Sequence, residues 1–136
     1  MQRVYMDHSA TTPVAPKVAE VMLEALTHGW GNPSSLHTPG KAARALLDKA
    51  RRQVADLIGA DPQEIVFTSG GTEADNLAII GSALAGQDRG RHMITSAIEH
   101  HAVLHTFKHL AQSGFEVTVL PVDFYGRVNP EHLLKM

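Results

Sequence analysis

Two stretches near the start of the chain carry apolar residues at three- and four-residue steps, the spacing of one helix face. The pattern predicts amphipathic helices over 16–28 and 38–58, the second opened by Thr38 and Pro39 and ended by Gly59. Further helices are predicted over 72–85 and 101–113. Short apolar or β-branched runs predict strands over 4–6, 65–67, 92–95 and 116–120.

From residue 65 onward, strands and helices alternate, which is typical of an α/β fold with parallel strands and right-handed crossovers. We therefore expect a mostly parallel sheet with helices on both faces. The first two helices are each expected to carry an apolar face. Its members are Val18, Val21, Met22 and Ala25 in the first helix, and Ala43, Leu46, Leu47, Ala50, Val54, Leu57 and Ile58 in the second. Because a parallel sheet must be covered on both sides, we also expect exposed apolar surface beside the last strand.

The segment 65–76, IVFTSGGTEADN, joins a strand to a helix through two glycines. Gly70 and Gly71 allow positive φ angles and close backbone approach, and Thr72 can cap the helix. The unpaired N–H groups of a first helical turn and the positive end of the helix dipole favour a bound anion. The segment therefore predicts a phosphate site, although such a turn also serves as a simple tight connection.

A second strand end comes about thirty residues later, in ITSAIEHHAVL, where a helix is predicted to begin with Glu99, His100 and His101. In open α/β sheets ligands lie beyond the carboxyl ends of the strands, so the His100 imidazole and the phosphate site could face one small molecule. The alternative is that His100 only caps the helix or fills space. His101 and His105 have no Asp, Glu or Cys at a metal-ligand spacing, and no metal site is predicted.

Three runs of the sequence carry a family resemblance: YMDHSATTPV at the start, GNPSSLHTPGKAARALLDKARRQVADLIGADPQEIVFTSGGTEADNLAI in the middle and ITSAIEHHAVLHTFKHLAQSGFEVTVLPVD near the end. The chain resembles the N-terminal part of a cysteine desulfurase of the NifS/IscS-like group. This group belongs to the class V aminotransferases, which are fold type I enzymes that use pyridoxal 5′-phosphate. The resemblance covers nearly the whole chain in order.

The resemblance implies a homodimeric enzyme that converts L-cysteine to L-alanine and leaves a persulfide on an enzyme cysteine. That sulfur would serve iron–sulfur cluster assembly, with a sulfur-accepting scaffold protein as a partner. It also implies that residues 1–40 form an active-site and dimer-contact segment. Residues 41–136 would then be an incomplete cofactor-binding large domain, with the catalytic remainder and the small domain absent.

Residue by residue, the resemblance assigns Gly71 and Thr72 to the cofactor phosphate and His100 to the face of the pyridine ring. An imidazole suits that place because it is flat enough to stack on an electron-poor ring and can also exchange protons. His100 is therefore the candidate catalytic residue as well as a cofactor-binding one. Glu99 is expected to be a first-turn acid favoured by the helix dipole, with at most a supporting role.

Two earlier segments match the family less specifically. Asp7–Thr12 corresponds to a substrate-side strand and loop, and Gly31–Ser35 to a loop near the dimer contact. The need to form turns is an alternative explanation for these small and polar residues. Asn32 is held extended because it precedes a proline, and Ser34 or Ser35 can bond to its own backbone. His37 could approach the active site of a partner subunit, but we expect a solvated loop histidine.

Several parts of the family's catalytic apparatus are missing from the sequence. In the family, the cofactor-binding lysine follows a Ser and a His. None of the lysines of this sequence occurs in that context; these are Lys17, Lys41, Lys49, Lys108 and Lys135. The chain has no cysteine, and Asp123 is not the acid that holds the pyridine nitrogen. With 136 residues, and a last helix opened only at Asn129 and Pro130, the chain is expected to be an inactive N-terminal fragment.

Composition excludes other classes of protein. A net charge of −2 without a basic run argues against nucleic-acid binding. There is no apolar stretch of transmembrane length and no signal-peptide pattern, so a cytoplasmic location is expected. The absence of cysteine excludes disulfides and thiolate metal sites within the chain.

Rival interpretations remain open at the level of sequence. Another class V enzyme, such as a selenocysteine lyase or an aminotransferase, would share the phosphate anchors and the stacking residue. A different class of hypothesis is a non-catalytic module that binds a phosphate-bearing ligand or another protein.

Overall fold

The computed structural model describes residues 3–134, which divide into two compact units with the boundary between Val66 and Phe67. The helices are α1 (Pro16–His28), α2 (Thr38–Ile58), α3 (Gly71–Gly86), α4 (His101–Gln112) and α5 (Pro130–Leu133), with a 3-10 turn at Pro62–Glu64. The strands are β1 (His92–Ser96) and β2 (Glu116–Leu120). No helix within residues 3–134 is both long enough and apolar enough to cross a membrane. The predicted division after residue 40 stays a prediction.

In the first unit, local signals set the ends of α2. The His37 side chain caps its start, with Nδ1 accepting a hydrogen bond from the Gly40 amide at 3.2 Å. Gly59 ends the helix in the left-handed conformation, with φ of 68°. A side chain would be strained at that φ, so this glycine is required by the backbone. His37 is exposed, as expected for a solvated loop histidine, and its ring also accepts a hydrogen bond from an amide of the first helical turn.

The apolar faces of α1 and α2 are present but mostly uncovered. No residue of α1 is buried, and Val21 remains 61% exposed. In α2, Ala43 and Ala55 are buried, whereas Leu57 is 84% exposed. Most residues of these predicted faces are therefore not buried. Periodicity places apolar side chains on one side of a helix, but burial needs a second layer that the described residues do not supply.

In the second unit, β1 and β2 pair in parallel, with His92 opposite Glu116 and Ser96 opposite Leu120. Helix α4 joins the two strands and packs against both. Around them lies a small core of buried residues and partly buried neighbours: Ala83, Leu110, Phe115, Ile79 and Met93. The predicted α/β class with parallel strands is confirmed.

Two predicted strands are absent from the structure. Residues 4–6 and 65–67 form no strand, and Met6 and Val66 are 88% and 65% exposed. A strand is defined by hydrogen bonds to a neighbouring strand. No described residue pairs with either segment in that way, so their apolar composition alone was insufficient.

Helices α3 and α4 pack against each other. Each leads through a short turn into one of the two parallel strands, so the helices run in the same direction. Thr106 is the sixth residue of α4 and Asn76 is the sixth residue of α3, and the Thr106 hydroxyl lies 2.7 Å from Asn76 Oδ1. Because this contact is equally far from both helix starts, the first turns of α3 and α4 lie side by side.

Candidate cofactor-anchoring site

The first turn of α3 has no side chain over its amides. Gly70 is the N-cap residue, and no side-chain cap hydrogen bond is formed. The first backbone bond of the helix runs from the Ala74 amide to the Gly70 carbonyl at 3.1 Å. The amides of Gly71, Thr72 and Glu73 come before it and therefore have no partner within the helix. The prediction that Thr72 caps the helix is wrong, because Thr72 lies inside the first turn.

The two glycines are not explained by backbone conformation. Neither Gly70 nor Gly71 has a φ in the left-handed region, and the φ of Gly70, 169°, is extended. The expected use of positive φ is therefore wrong. A Cβ atom built on either glycine would meet no protein atom within 4 Å. The space in front of this turn is open, so a group from outside the chain can approach the backbone closely.

Glu73 holds the turn that precedes α3. Its Oε2 accepts hydrogen bonds from the Ser69 hydroxyl at 2.6 Å and the Ser69 amide at 2.7 Å. These two bonds, the hydroxyl bond first, lower the pKa of the Glu73 carboxyl below its ordinary value of 4.5. The ionised carboxylate thus fixes Ser69 one residue before the N-cap, and the amides of Gly71 and Thr72 keep an open front.

His100 lies at the start of α4, where it is the N-cap residue. Its Nδ1 accepts a hydrogen bond from the Ala102 amide at 3.1 Å. The capping role foreseen for this histidine is therefore present. In this geometry the proton of a neutral ring is on Nε2. The exposed residue leaves Nε2 and the ring face available, so capping and contact with a ligand are compatible.

Helix α4 begins at His101, the first residue of the predicted range 101–113. Glu99 is therefore outside the first turn, and the expectation of a first-turn acid is wrong. Its Oε1 accepts a hydrogen bond from the Ser96 hydroxyl at 2.8 Å, which ties the end of β1 to the loop before α4. Glu99 thus supports the loop that carries His100.

The neighbouring histidines stack loosely along α4. The ring centroids of His100 and His101 are 6.2 Å apart, and those of His101 and His105 are 5.7 Å apart. Within residues 3–134, no group of three or more His, Asp or Glu side chains is arranged to hold a metal ion. No metal role is assigned to these histidines.

The three predicted site residues, Gly71, Thr72 and His100, all belong to the second unit, at the adjoining starts of α3 and α4. Packed helices have axes about 8–10 Å apart. Open amides and an exposed imidazole therefore border one region at this end of the helix pair. That arrangement suits an elongated ligand with an anionic end and a flat end.

The earlier motif segments lie in the first unit and form turns. The Ser9 hydroxyl is 3.4 Å from Asp7 Oδ1, and the Ser34 amide donates to Asn32 Oδ1 at 2.9 Å. These contacts are turn chemistry made by the Asp7 and Asn32 side chains, whereas the expected bonds were from serine side chains to their own backbone. A substrate-side or dimer-contact role for Asp7–Thr12 and Gly31–Ser35 stays a prediction.

Asp123 organises another turn. Its Oδ1 accepts from the amides of Tyr125 at 2.8 Å and Arg127 at 2.9 Å, and its Oδ2 pairs with the Arg127 guanidinium. The Arg127 amide contributes most to lowering the pKa of the Asp123 carboxyl, and the other bonds assist. These contacts give Asp123 a structural role in its own turn.

Sequence reasoning missed two polar residues behind the candidate site. Thr106 is 2% exposed and contacts Asn76 across the helix pair. The only available signal was a threonine on the apolar side of a predicted helix, beside Phe107 and Leu110. A polar group at such a place needs a hydrogen-bond partner, but the sequence does not say which one.

The sequence from residue 4 to residue 136 matches the family model of class V aminotransferases. The chain belongs to this family. Among curated relatives, the cysteine desulfurase IscS of Methanosarcina thermophila is 57% identical over 130 residues, covering 96% of this chain and 32% of the relative. The cysteine desulfurase IscS of Cronobacter sakazakii is 54% identical over 133 residues, covering 96% of this chain and 33% of the relative.

Solved structures of the family are also similar. A NifS-like protein superposes with a TM-score of 0.91 at 43% identity, over 99% of this chain and 37% of that one. SspA in complex with cysteine gives a TM-score of 0.86 at 40% identity, over 96% of this chain and 38% of that one. The family resemblance read from the sequence is confirmed, and the chain spans about a third of the length of these relatives.

Proposed function

We propose that this chain is the cofactor-anchoring part of a pyridoxal-phosphate-dependent cysteine desulfurase. The complete enzyme would convert L-cysteine to L-alanine and retain the sulfur as a persulfide on an enzyme cysteine. The names of the two curated relatives support this activity, and the cysteine complex of SspA supports the substrate. The observation that carries the proposal is the pair of adjoining helix starts, one with open amides and the other with an exposed imidazole.

The phosphate belongs at the start of α3. The amides of Gly71 and Thr72 point toward it as donors, and the Thr72 hydroxyl adds a third. The positive end of the helix dipole favours the anion, and the absence of a Cβ at Gly70 and Gly71 allows it close to the backbone. The donor set and the open space both fit a phosphate ester.

The pyridine ring belongs beside His100. Its Nδ1 is held by the Ala102 amide, so the ring orientation is set before the cofactor binds. A flat imidazole stacks on a flat pyridine, and Nε2 can donate or accept a proton near the substrate. Pyridoxal phosphate, when bound, would supply an electron-poor ring that draws electron density from the substrate α-carbon.

The remaining chemical roles require groups outside these 136 residues. The chain contains no cysteine to carry the persulfide and no lysine preceded by Ser and His. A homodimer, a sulfur-accepting scaffold protein and a cytoplasmic location belong to the same proposal and follow from the family alone. A selenocysteine lyase or an aminotransferase would use the same anchors, but none of the relatives named above carries either name.

Binding tests the proposal directly. Pyridoxine 5′-phosphate is the suitable probe because it has no aldehyde to react with surface lysines. We expect its addition to the 136-residue chain to shift the amide NMR signals of Gly71 and Thr72 and the ring signals of His100. Inorganic phosphate should shift only the first two. If pyridoxine 5′-phosphate leaves all three residues unshifted, the proposed cofactor site is wrong.

Activity gives a second test. The isolated chain, mixed with pyridoxal phosphate and L-cysteine, should release sulfide no faster than the free cofactor does, because the covalent groups are missing. Sulfide can be measured colorimetrically, with the cofactor alone as the control. Turnover well above that control would contradict the assignment of cysteine and lysine to other parts of the enzyme.

A further inference from the structure

We propose that Asn76 and Thr106 are positioning residues that set the spacing between the phosphate-binding turn and His100. This inference rests on the proposed function, because it concerns the two halves of the same site. Neither residue touches the region where a ligand would bind. They act through a series of polar contacts and backbone links that begins at Thr72 and ends at His100.

The path starts in α3. Asn76 Nδ2 donates to the Thr72 carbonyl at 2.8 Å, one turn back toward the helix start. This bond holds the Asn76 side chain along the helix and points its Oδ1 toward α4. Thr72 is thus joined to Asn76 both by the helix backbone and by a side-chain bond.

The path crosses between the helices at Thr106. Its hydroxyl carries one proton, which it shares between two acceptors that each lie 2.7 Å away, Asn76 Oδ1 and the carbonyl oxygen of Ala102. The Ala102 amide in turn donates to His100 Nδ1 at 3.1 Å. Side-chain and backbone groups therefore form a continuous connection between the two candidate ligand contacts.

Burial distinguishes Thr106 from an ordinary helix threonine. It is 2% exposed, and it is the one buried polar side chain found within residues 3–134. A threonine can satisfy itself by bonding to the carbonyl four residues earlier, so the bond to Ala102 alone would not require Asn76. The second contact fixes how far each helix can slide or rotate against the other. Apolar packing alone specifies such a register less sharply.

A ligand that spans both helix starts depends on this register, whereas a ligand that touches one start does not. Three probes separate these cases: pyridoxine 5′-phosphate contacts both starts, inorganic phosphate contacts only α3, and pyridoxine contacts only His100. Loss of geometry between two linked subsites lowers affinity for the linked ligand without changing either subsite.

The test compares Thr106→Val, which removes the hydroxyl and keeps the shape, with Thr106→Ser, which keeps the hydroxyl. Dissociation constants for the three probes are measured by NMR titration of the 136-residue chain. We expect Thr106→Val to weaken pyridoxine 5′-phosphate by about tenfold or more. Binding of phosphate and of pyridoxine should stay at the wild-type value, and Thr106→Ser should restore most of the loss.

Asn76→Ala provides a second variant that does not depend on filling a buried site, since alanine favours the helix. It should give the same selective loss. An equal loss for all three probes, or no loss for any, would show that the pair does not position the site. If the wild-type chain binds inorganic phosphate but pyridoxine 5′-phosphate gains nothing from His100, the proposed function fails together with this inference.

Discussion

The first turns of α3 and α4 are both helix starts in one α/β unit, but they present different chemical groups to a ligand. At α3 no side chain covers the amides, and Glu73 turns back to Ser69. At α4 the His100 ring occupies the Ala102 amide. One start presents its backbone and the other presents its side chain. A ligand with an anionic end and a flat end can use both.

The start of α2 adds a useful third case. His37 caps it through Nδ1 at 3.2 Å, nearly the same geometry as the 3.1 Å bond of His100. Capping by histidine is therefore not by itself a sign of a ligand site. What distinguishes His100 is its neighbour, the open start of α3 in the same unit.

The largest effect is expected from Gly71→Pro. Proline fits the first position of a helix, and Gly70 before it is already extended, with ψ of 179°, so α3 should survive. The change removes one amide donor, and a hydrogen bond to a charged group contributes about 1.5–3 kcal/mol. Phosphate affinity measured by NMR titration should fall about 10-fold or more. Unchanged affinity in a helical variant would show that the Gly71 amide does not bind the anion.

Thr72→Val is the matched control for that change, because it removes the hydroxyl and leaves every amide in place. A smaller loss of phosphate affinity is expected than for Gly71→Pro. If the valine variant loses more, the side chain and not the backbone is the main anchor.

An intermediate effect is expected from substitutions of His100. Both His100→Ala and His37→Ala remove a cap and should destabilise the chain by about 0.5–2 kcal/mol in urea unfolding. Only His100→Ala should also weaken binding of pyridoxine 5′-phosphate, by about two- to tenfold, because only that ring is proposed to stack on the pyridine. His100→Asn restores a good cap without restoring the ring. Recovery of stability without recovery of binding would separate the two roles.

If His37→Ala weakens the ligand as much as His100→Ala does, the effect comes from general destabilisation. In the complete enzyme, His100→Ala should also weaken or reshape the visible absorption of the cofactor. No spectral change there would leave His100 with capping alone.

The smallest effect concerns the pH dependence of the α3 turn. Because the pKa of Glu73 is lowered in the fold, its contribution is fully present above the ordinary value of 4.5 and is lost as the pH falls through the lowered value. The amide signals of Ser69 and Gly70 should therefore titrate with a midpoint below pH 4.5. Glu73→Gln should abolish that inflection. A midpoint above 4.5 would contradict the hydrogen bonds to Ser69.

The helix ends were predictable because their causes are local. Gly59 has the left-handed φ expected at a helix terminus, and Asn129 caps α5 by accepting from the Glu131 amide at 3.0 Å. The absence of the predicted strand at 65–67 could not be foreseen, since a strand depends on hydrogen-bonding partners elsewhere in the chain. The exposure of the apolar face of α1 could not be read from the sequence for the same reason, because the pattern identifies a face and not what covers it.

The candidate site divides in the same way. Gly71 and His100 stand at junctions that local sequence marks, although their roles came from the family resemblance and stay predictions. Thr106 and Asn76 are 30 positions apart, and their contact depends on how two helices pack. No local sequence pattern predicts this contact, so it becomes visible only in the three-dimensional structure.

Gly71 carries a consequence for the evolution of the molecule. The residue has an ordinary helical φ and empty space where a methyl group would go. Alanine there would restrict the unfolded chain and raise stability by about 0.4–1 kcal/mol. A sequence that keeps glycine gives up this stability. That loss is expected where selection favours the close approach of a ligand to the backbone over thermal stability. Gly71→Ala should accordingly melt later and hold phosphate less tightly than its parent.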